Sequence, residues 1–320
     1  MQHFLQAIPI ILILLFFVMV YIFFAYIFKR NRKDKGSEES LPASQGYARC
    51  RGQLLECIRQ IKEAPCLELY CTSMDGLRLF GRYYENRKGA PLMLMFHGYR
   101  GYARRDAAGF YQICKEAGWN LLVVDQRSHG ESEGEVITFG IKERMDVLTW
   151  TEYMTEYLGP DVKMVLSGVS MGAATVLMAS NLKLPDQVKG IAADCGYTEP
   201  KEAIRQNARH HHCPGGLAVV MGRLGARMIG RFDPFSYSAL QALKTTDLPV
   251  LFLHGDADWI VPFSMSEENY AACASTVKEL YRVPGAPHAL AYYYDTEGYT
   301  KAVRRFLADC IKDGSAARMK

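Results

Sequence analysis

Gly168-Val169-Ser170-Met171-Gly172 decides the fold of this 320-residue chain. The apolar run Val162 to Leu166 precedes these five residues and the small-residue segment Met171 to Asn181 follows, so they join a strand to a helix. Such a sharp turn crowds its neighbours, which explains glycine two places either side of the serine. It lifts the Ser170 hydroxyl above the sheet, at the positive end of the helix. The competing reading is a Gly/Ser turn in which Ser170 only caps the helix.

The pattern repeats on both sides. Cys66 to Ser73 and Leu77 to Glu85 flank Met74-Asp75-Gly76 and read as a hairpin. Pro91–Phe96, Asn120–Val124, Lys189–Ala193, Pro249–Leu253 and Glu279–Val283 are further strands. Tyr102–Ala117, Ile141–Leu158 and Thr300–Ile311 are helices. Short apolar strands alternating with helices indicate a mostly parallel, eight-stranded sheet covered on both faces. Ligands of such sheets bind beyond the strands' C-terminal ends. The residues there are His97-Gly98-Tyr99, Asp125, Ser170, Asp194, Asp258 and His288.

A serine hydroxyl needs a base to become a nucleophile. His97 and His254 precede glycines at strand ends, where a ring commonly satisfies loop backbone groups; His129 reads as structural, and His210 to His212 as a surface run. His288, straight after the last strand, is left as the general base. A carboxylate should orient it. Asp258, in the stretch from His254 to Pro262, is the first choice, Asp194 the runner-up, and Asp256 a turn residue.

The order Ser170, Asp258, His288 resembles that of the α/β-hydrolase superfamily over residues 66–311, and within it the serine-aminopeptidase-like and prolyl-oligopeptidase-like hydrolases of bacteria. The supporting motifs are His97-Gly98-Tyr99-Arg100-Gly101, the stretch from Asp125 to Ser132, the serine turn, and the stretch from His254 to Pro262. Ser128 stands where that family usually has glycine. The resemblance implies an oxyanion hole made by the backbone N–H groups of Tyr99 and Met171, and a cap over the site at residues 196–246. Apolar runs there, Ala218 to Met221 and Met228 to Gly230, either line an acyl pocket or pack on the core. Tyr292, Tyr293 and Tyr294 likewise either meet substrate or pack.

Ile8 to Phe28 carries no charge over 21 residues, about 31 Å of helix, enough to span a bilayer. Five cations follow within Lys29–Lys35. A cleaved signal wants its cations before the apolar core, so this is an expected transmembrane helix with the domain on the cytoplasmic side. Nine cysteines, an odd number without a CxxC pair, suit a reducing compartment. The expected organisation is an anchor and basic flank at 1–35, a tether at 36–48 and a hydrolase domain at 49–320, whose first helix, Arg49–Glu63, docks on the domain or lies near the bilayer. Net charge is +4. The Lys29–Lys35 stretch accounts for all of it, which removes any electrostatic case for nucleic-acid binding. No P-loop, GxGxxG or HExxH motif calls for a nucleotide or metal cofactor.

The expectation is a membrane-anchored serine hydrolase of carboxylic esters or thioesters, its substrate a small molecule or a lipid. A serine peptidase of the same fold is the alternative, and a non-catalytic binding module on a hydrolase scaffold the second.

Overall fold

The computed structural model describes residues 2–30, 38–42, 45–210 and 212–312. Helix α1 (Gln2–Phe28) and α2 (Gln45–Glu63) lead into strands β1 (Leu67–Thr72), β2 (Arg78–Tyr84) and β3 (Leu92–Phe96). Then α3 (Ala103–Ala117), β4 (Asn120–Asp125), α4 (Glu143–Leu158), β5 (Met164–Val169), α5 (Met171–Ala179) and β6 (Val188–Asp194) alternate. Three helices follow, α6 (Pro200–His210), α7 (Gly215–Met228) and α8 (Ala239–Leu243). The chain closes with β7 (Val250–Gly255), α9 (Ser264–Ala272), β8 (Lys278–Val283), α10 (Ala291–Tyr294) and α11 (Thr296–Ile311).

The eight strands form one sheet in the order β1-β2-β4-β3-β5-β6-β7-β8. The β1/β2 and β2/β4 pairs are antiparallel and all later pairs parallel. β3, β4, β5 and β7 are buried at every position, as strands covered on both faces must be. One core packs Trp150, Met154, Leu177 and Phe252 on one side of the sheet. The other packs Ile58, Ile113, Val303 and Phe306 on the opposite side. α2 belongs to that second layer: Leu54, Ile58 and Ile61 are buried, so it docks on the domain.

α1 is long and apolar enough to cross a membrane, with 22 residues at mean hydropathy 3.0. Ile10 to Leu15 are exposed, whereas Val20, Phe24, Ile27 and Phe28 are buried. The Phe28 ring meets Phe139 and Phe232 edge-on at 5.7 and 5.3 Å. Gly225 of α7 lets the helices close: an added Cβ would stand 2.7 Å from Phe24 Cβ and 3.1 Å from the Val20 carbonyl oxygen. Of the stretch 36–48 read as a tether, residues 38–42 and 45–48 are described: Glu38 pairs with Arg104 at 2.9 Å, and 45–48 form the first turn of α2, which starts four residues before the expected Arg49. The cations Arg32, Lys33 and Lys35 lie outside the described residues.

Candidate active site

β5 ends at Val169 and α5 begins at Met171, so Ser170 alone makes the turn, at φ 55° and ψ −114°. A non-glycine residue there is strained by about 1–3 kcal/mol. The glycines explain how the turn closes. A Cβ on Gly172 would overlap the Phe96 carbonyl, and one on Gly168 would overlap the Gly172 backbone. The Ser170 N–H is held by the Asp194 carbonyl at 2.8 Å. Its side chain does not cap α5; its Oγ lies 2.9 Å from His288 Nε2.

His288 sits in the loop between β8 and α10, and its Nδ1 lies 2.6 Å from Asp258 Oδ2. Asp258, in the loop after β7, accepts the Ile260 and Val261 N–H groups on Oδ1, both at 2.9 Å. An ionised carboxylate only accepts, so the His288 proton belongs on Nδ1, leaving Nε2 free to accept from the Ser170 hydroxyl. Burial pushes Asp258 up, but the His288 charge and the bonds from His254 and His288 outweigh it and hold the carboxyl well below its usual range. For His288, burial acts downward. The Asp258 charge and hydrogen bond prevail and raise it above 6.5.

The loop after β3 closes the other side. His97 Nε2 accepts from the Gln126 N–H at 3.1 Å, so its Nδ1–H donates to the Gly98 carbonyl at 2.8 Å. Gly101 N–H donates to that same carbonyl at 3.0 Å. A trans peptide then aims the Tyr99 N–H the opposite way. Gly98 lies against the serine: an added Cβ would stand 3.4 Å from Ser170 Cβ. Asp106, in the first turn of α3, accepts the Gly98 N–H at 2.9 Å. Met171 opens α5, so its N–H is one of the donors a helix start leaves without an intrahelical partner. Arg100, Ser128, Ser170, Cys195 and Ala289 all have positive φ; backbone strain of this kind gathers at functional sites.

The structure thus brings Ser170, His288 and Asp258 within hydrogen-bond reach and leaves the side chains of Asp194, Asp256, His129 and His210 outside that chain of bonds. Asp194 accepts from the Tyr299 hydroxyl at 2.8 Å, and burial pushes it up to about 6. Asp256 takes Gly285 N–H and Arg282 at 2.6 and 2.8 Å, as a turn residue does. His129 Nε2 accepts the Arg100 N–H at 3.0 Å. The His210 ring lies 4.2 Å from that of Trp259, and His211 is outside the described residues. Ser128 has φ 64°, the conformation for which glycine is usual. Tyr292 packs on Gly109 and Tyr299. Ala218 and Met221 are buried, but Val220, Met228 and Ile229 are exposed. Cys195 Sγ stands within 4.8 Å of the Asp258 and His288 ligand atoms, its thiol pushed well up by burial and thus neutral.

His254 satisfies loop backbone, as its place before a glycine at a strand end suggests, and also reaches the Asp258 carboxylate, which was not foreseen. Its Nε2 lies 3.1 Å from Asp258 Oδ2 and 2.9 Å from the Val261 carbonyl, so it satisfies the loop and the carboxylate together. The four-residue spacing to Asp258 was the available signal. Asp106 gave none, because its partner lies in another element.

A narrow apolar slot of about 30 Å³ borders this loop, walled by Phe23, Ile27, Tyr99, Phe139, Ile204 and Ala218. A polar cleft of about 550 Å³ lies beside it, lined by Arg30, Arg82, Arg100, His97, Asp125 and Glu131.

Sheet order, serine turn and a histidine loop after the last strand define an α/β hydrolase. The chain belongs to the serine aminopeptidase S33 family, whose profile matches residues 88–234 and 221–293. An uncharacterized protein of Bacillus subtilis, YqkD, is 28% identical over 202 residues, 62% of this chain and 65% of that protein. The chain thus spans just under two thirds of that relative. The lysophosphatidylserine lipase ABHD12 of Danio rerio is 26% identical over 208 residues, 61% of this chain and 50% of that protein. Among solved structures, the esterase Pf2001 of Pyrococcus furiosus superposes with a TM-score of 0.64 at 19% identity, covering 78% of this chain and 93% of that one; at that identity the likeness is one of fold. Family and fold together place the chain among the α/β hydrolases.

Proposed function

We propose that this protein is a serine hydrolase of carboxylic esters or thioesters, anchored in the cell membrane by α1 with its domain on the cytoplasmic side. Ser170 Oγ attacks the acyl carbonyl while His288 Nε2 takes its proton. Asp258 holds the imidazole and stabilises its cation. The backbone N–H groups of Tyr99 and Met171 receive the developing oxyanion. His288 returns the proton to the leaving oxygen or sulfur, and water releases the acyl group by the same route. The observation that carries this reading is His288 bridging Ser170 at 2.9 Å and Asp258 at 2.6 Å.

The mostly apolar walls beside Tyr99 favour an uncharged acyl group on that side of the loop, a small one for a slot of about 30 Å³. The lipase activity in the name of the Danio rerio relative points the same way. The cations Lys29 and Arg30, directly after the span, favour the cytoplasmic side.

The family description favours a second reading, an aminopeptidase. Such an enzyme must hold a free ammonium beside the scissile bond. The polar cleft offers Glu38, Asp125 and Glu131 but lines up Arg30, Arg82 and Arg100 with them; Arg104 holds Glu38 at 2.9 Å and Arg82 stands 3.5 Å from Asp125. That arrangement is poor for a second cation. Turnover of nitrophenyl esters and of matched aminoacyl nitroanilides by the full chain tests both readings. The account expects ester hydrolysis that disappears in Ser170→Ala; faster nitroanilide hydrolysis would make the protein a peptidase.

A further inference from the structure

The last turn of α1 is bonded to the loop that carries the proposed oxyanion donor. The Tyr99 hydroxyl donates to the Ile27 carbonyl at 2.7 Å. Arg100 Nη2 donates to the carbonyls of Tyr26 and Lys29 at 2.8 and 3.0 Å. The Tyr26 and Ile27 carbonyls are ones that the helix end leaves unsatisfied, and a cation there also meets the negative end of the helix dipole. The following chain is fixed as well. Phe28 carbonyl accepts from Ile137 N–H at 2.7 Å, and Arg30 N–H donates to the Glu135 carbonyl at 2.9 Å. The Tyr99 ring stacks obliquely on Phe139 at 4.9 Å, and Phe139 in turn meets Phe28.

We infer that the end of the membrane helix is a positioning element of the active site: through the Tyr99 hydroxyl and the Arg100 guanidinium it holds the 97–101 loop so that the Tyr99 N–H faces the oxyanion. This rests on the oxyanion-hole reading given above. The physical reason is that a backbone donor cannot be tuned by its own side-chain chemistry. Its aim is set by what pins the loop, and a donor displaced by a fraction of an ångström loses much of its effect on the transition state. From one side the loop is pinned within the domain, by His97, His129 and Asp106. From the other it is pinned by α1. The anchor therefore does more than confine the enzyme to a surface.

The test uses the full chain in detergent micelles and a short soluble ester, nitrophenyl butyrate, which needs no bilayer delivery. Tyr99→Phe keeps the ring packing and removes one bond; Tyr99→Phe with Arg100→Met removes the clamp. Ser170→Ala and the lipid-facing Leu12→Ala serve as references. The double variant is expected to lose on the order of tenfold in kcat with KM within about twofold, and a trifluoromethyl ketone that mimics the oxyanion should bind weaker by a like factor. Tyr99→Phe should lose about threefold in kcat, again with KM unchanged, and Leu12→Ala should match wild type. Wild-type kcat and inhibitor affinity in the double variant would overturn the inference. So would wild-type values in Tyr99→Phe, which decides the matter if the double variant does not fold. Retained activity in Ser170→Ala would instead overturn the proposed function.

Discussion

His288 and His254 share one oxygen of Asp258, the first at 2.6 Å and the second at 3.1 Å. The carboxylate thus meets four donors and is locked in the orientation His288 needs. Asp258→Asn replaces an acceptor by an amide whose NH2 would face the His288 Nδ1–H. The imidazole then moves its proton to Nε2 and can no longer accept from Ser170. We expect kcat to fall by roughly 10³- to 10⁴-fold with the fold retained, checked by burst kinetics alongside thermal unfolding.

Activity and stability should respond to pH in opposite senses around neutrality. In the proposed mechanism His288 must be neutral to act, and the Asp258 charge and hydrogen bond raise its value above 6.5 in the fold. The acid limb of kcat/KM should therefore have its midpoint above 6.5. The protonated His288 is the form the fold favours, so its stabilising contribution is complete below 6.5 and is lost as pH rises through the folded value. Asp258 is depressed, so its contribution is present above the usual carboxylate range and lost as pH falls through its folded value. His254→Leu removes a donor from Asp258, concentrates its charge on His288 and should move the acid limb upward. A pH–rate profile of both proteins checks this; a limb centred below 6.5 in the wild type contradicts it.

Two glycine-to-alanine changes should differ sharply. In Gly172→Ala the new methyl meets the Phe96 carbonyl, which belongs to a buried strand and cannot retreat. Loss of soluble protein, or destabilisation of several kcal/mol, is expected. Gly52 lies inside α2 with open space around it. Gly52→Ala should stabilise by up to about 1 kcal/mol. Thermal unfolding of the two variants decides.

Removing residues 1–28 should cost the domain more than its address. Phe24, Ile27 and Phe28 are buried against it, each worth about 1.5–3 kcal/mol when fully buried. A fragment beginning at Lys29 should unfold at a lower temperature than the full chain and bind a hydrophobic dye through the exposed face around Phe139 and Phe232. Equal unfolding temperatures would show that the α1 contacts contribute nothing.

All eight strands and the serine turn were legible because local rules govern them: short apolar runs for the inner strands, alternation about Met74-Asp75-Gly76 for the hairpin, and a serine framed by glycines. That Asp258 and His288 meet near Ser170 was readable from their places just after strand ends. Three features were not legible, for separate reasons. The neighbour order β2-β4-β3-β5 depends on crossovers that leave no mark on the strands themselves. The helices between β6 and β7 are built partly against α1, so their apolar positions have no partner visible in their own sequence. And α1 is apolar on every side, so periodicity could not show that Val20, Phe24, Ile27 and Phe28 form one docking face. The bond between Tyr99 and Ile27 spans 72 residues and depends on that docking.

The central claim is that Ser170 is an activated nucleophile, and the most direct measurement is covalent labelling of the full chain with a fluorophosphonate, read by peptide mass spectrometry. An unactivated serine reacts too slowly to be seen on the same timescale. The account predicts one modified site, Ser170, with labelling abolished in Ser170→Ala and strongly slowed in His288→Ala. Folded wild-type protein that stays unlabelled, or that carries the label on another residue, would contradict it.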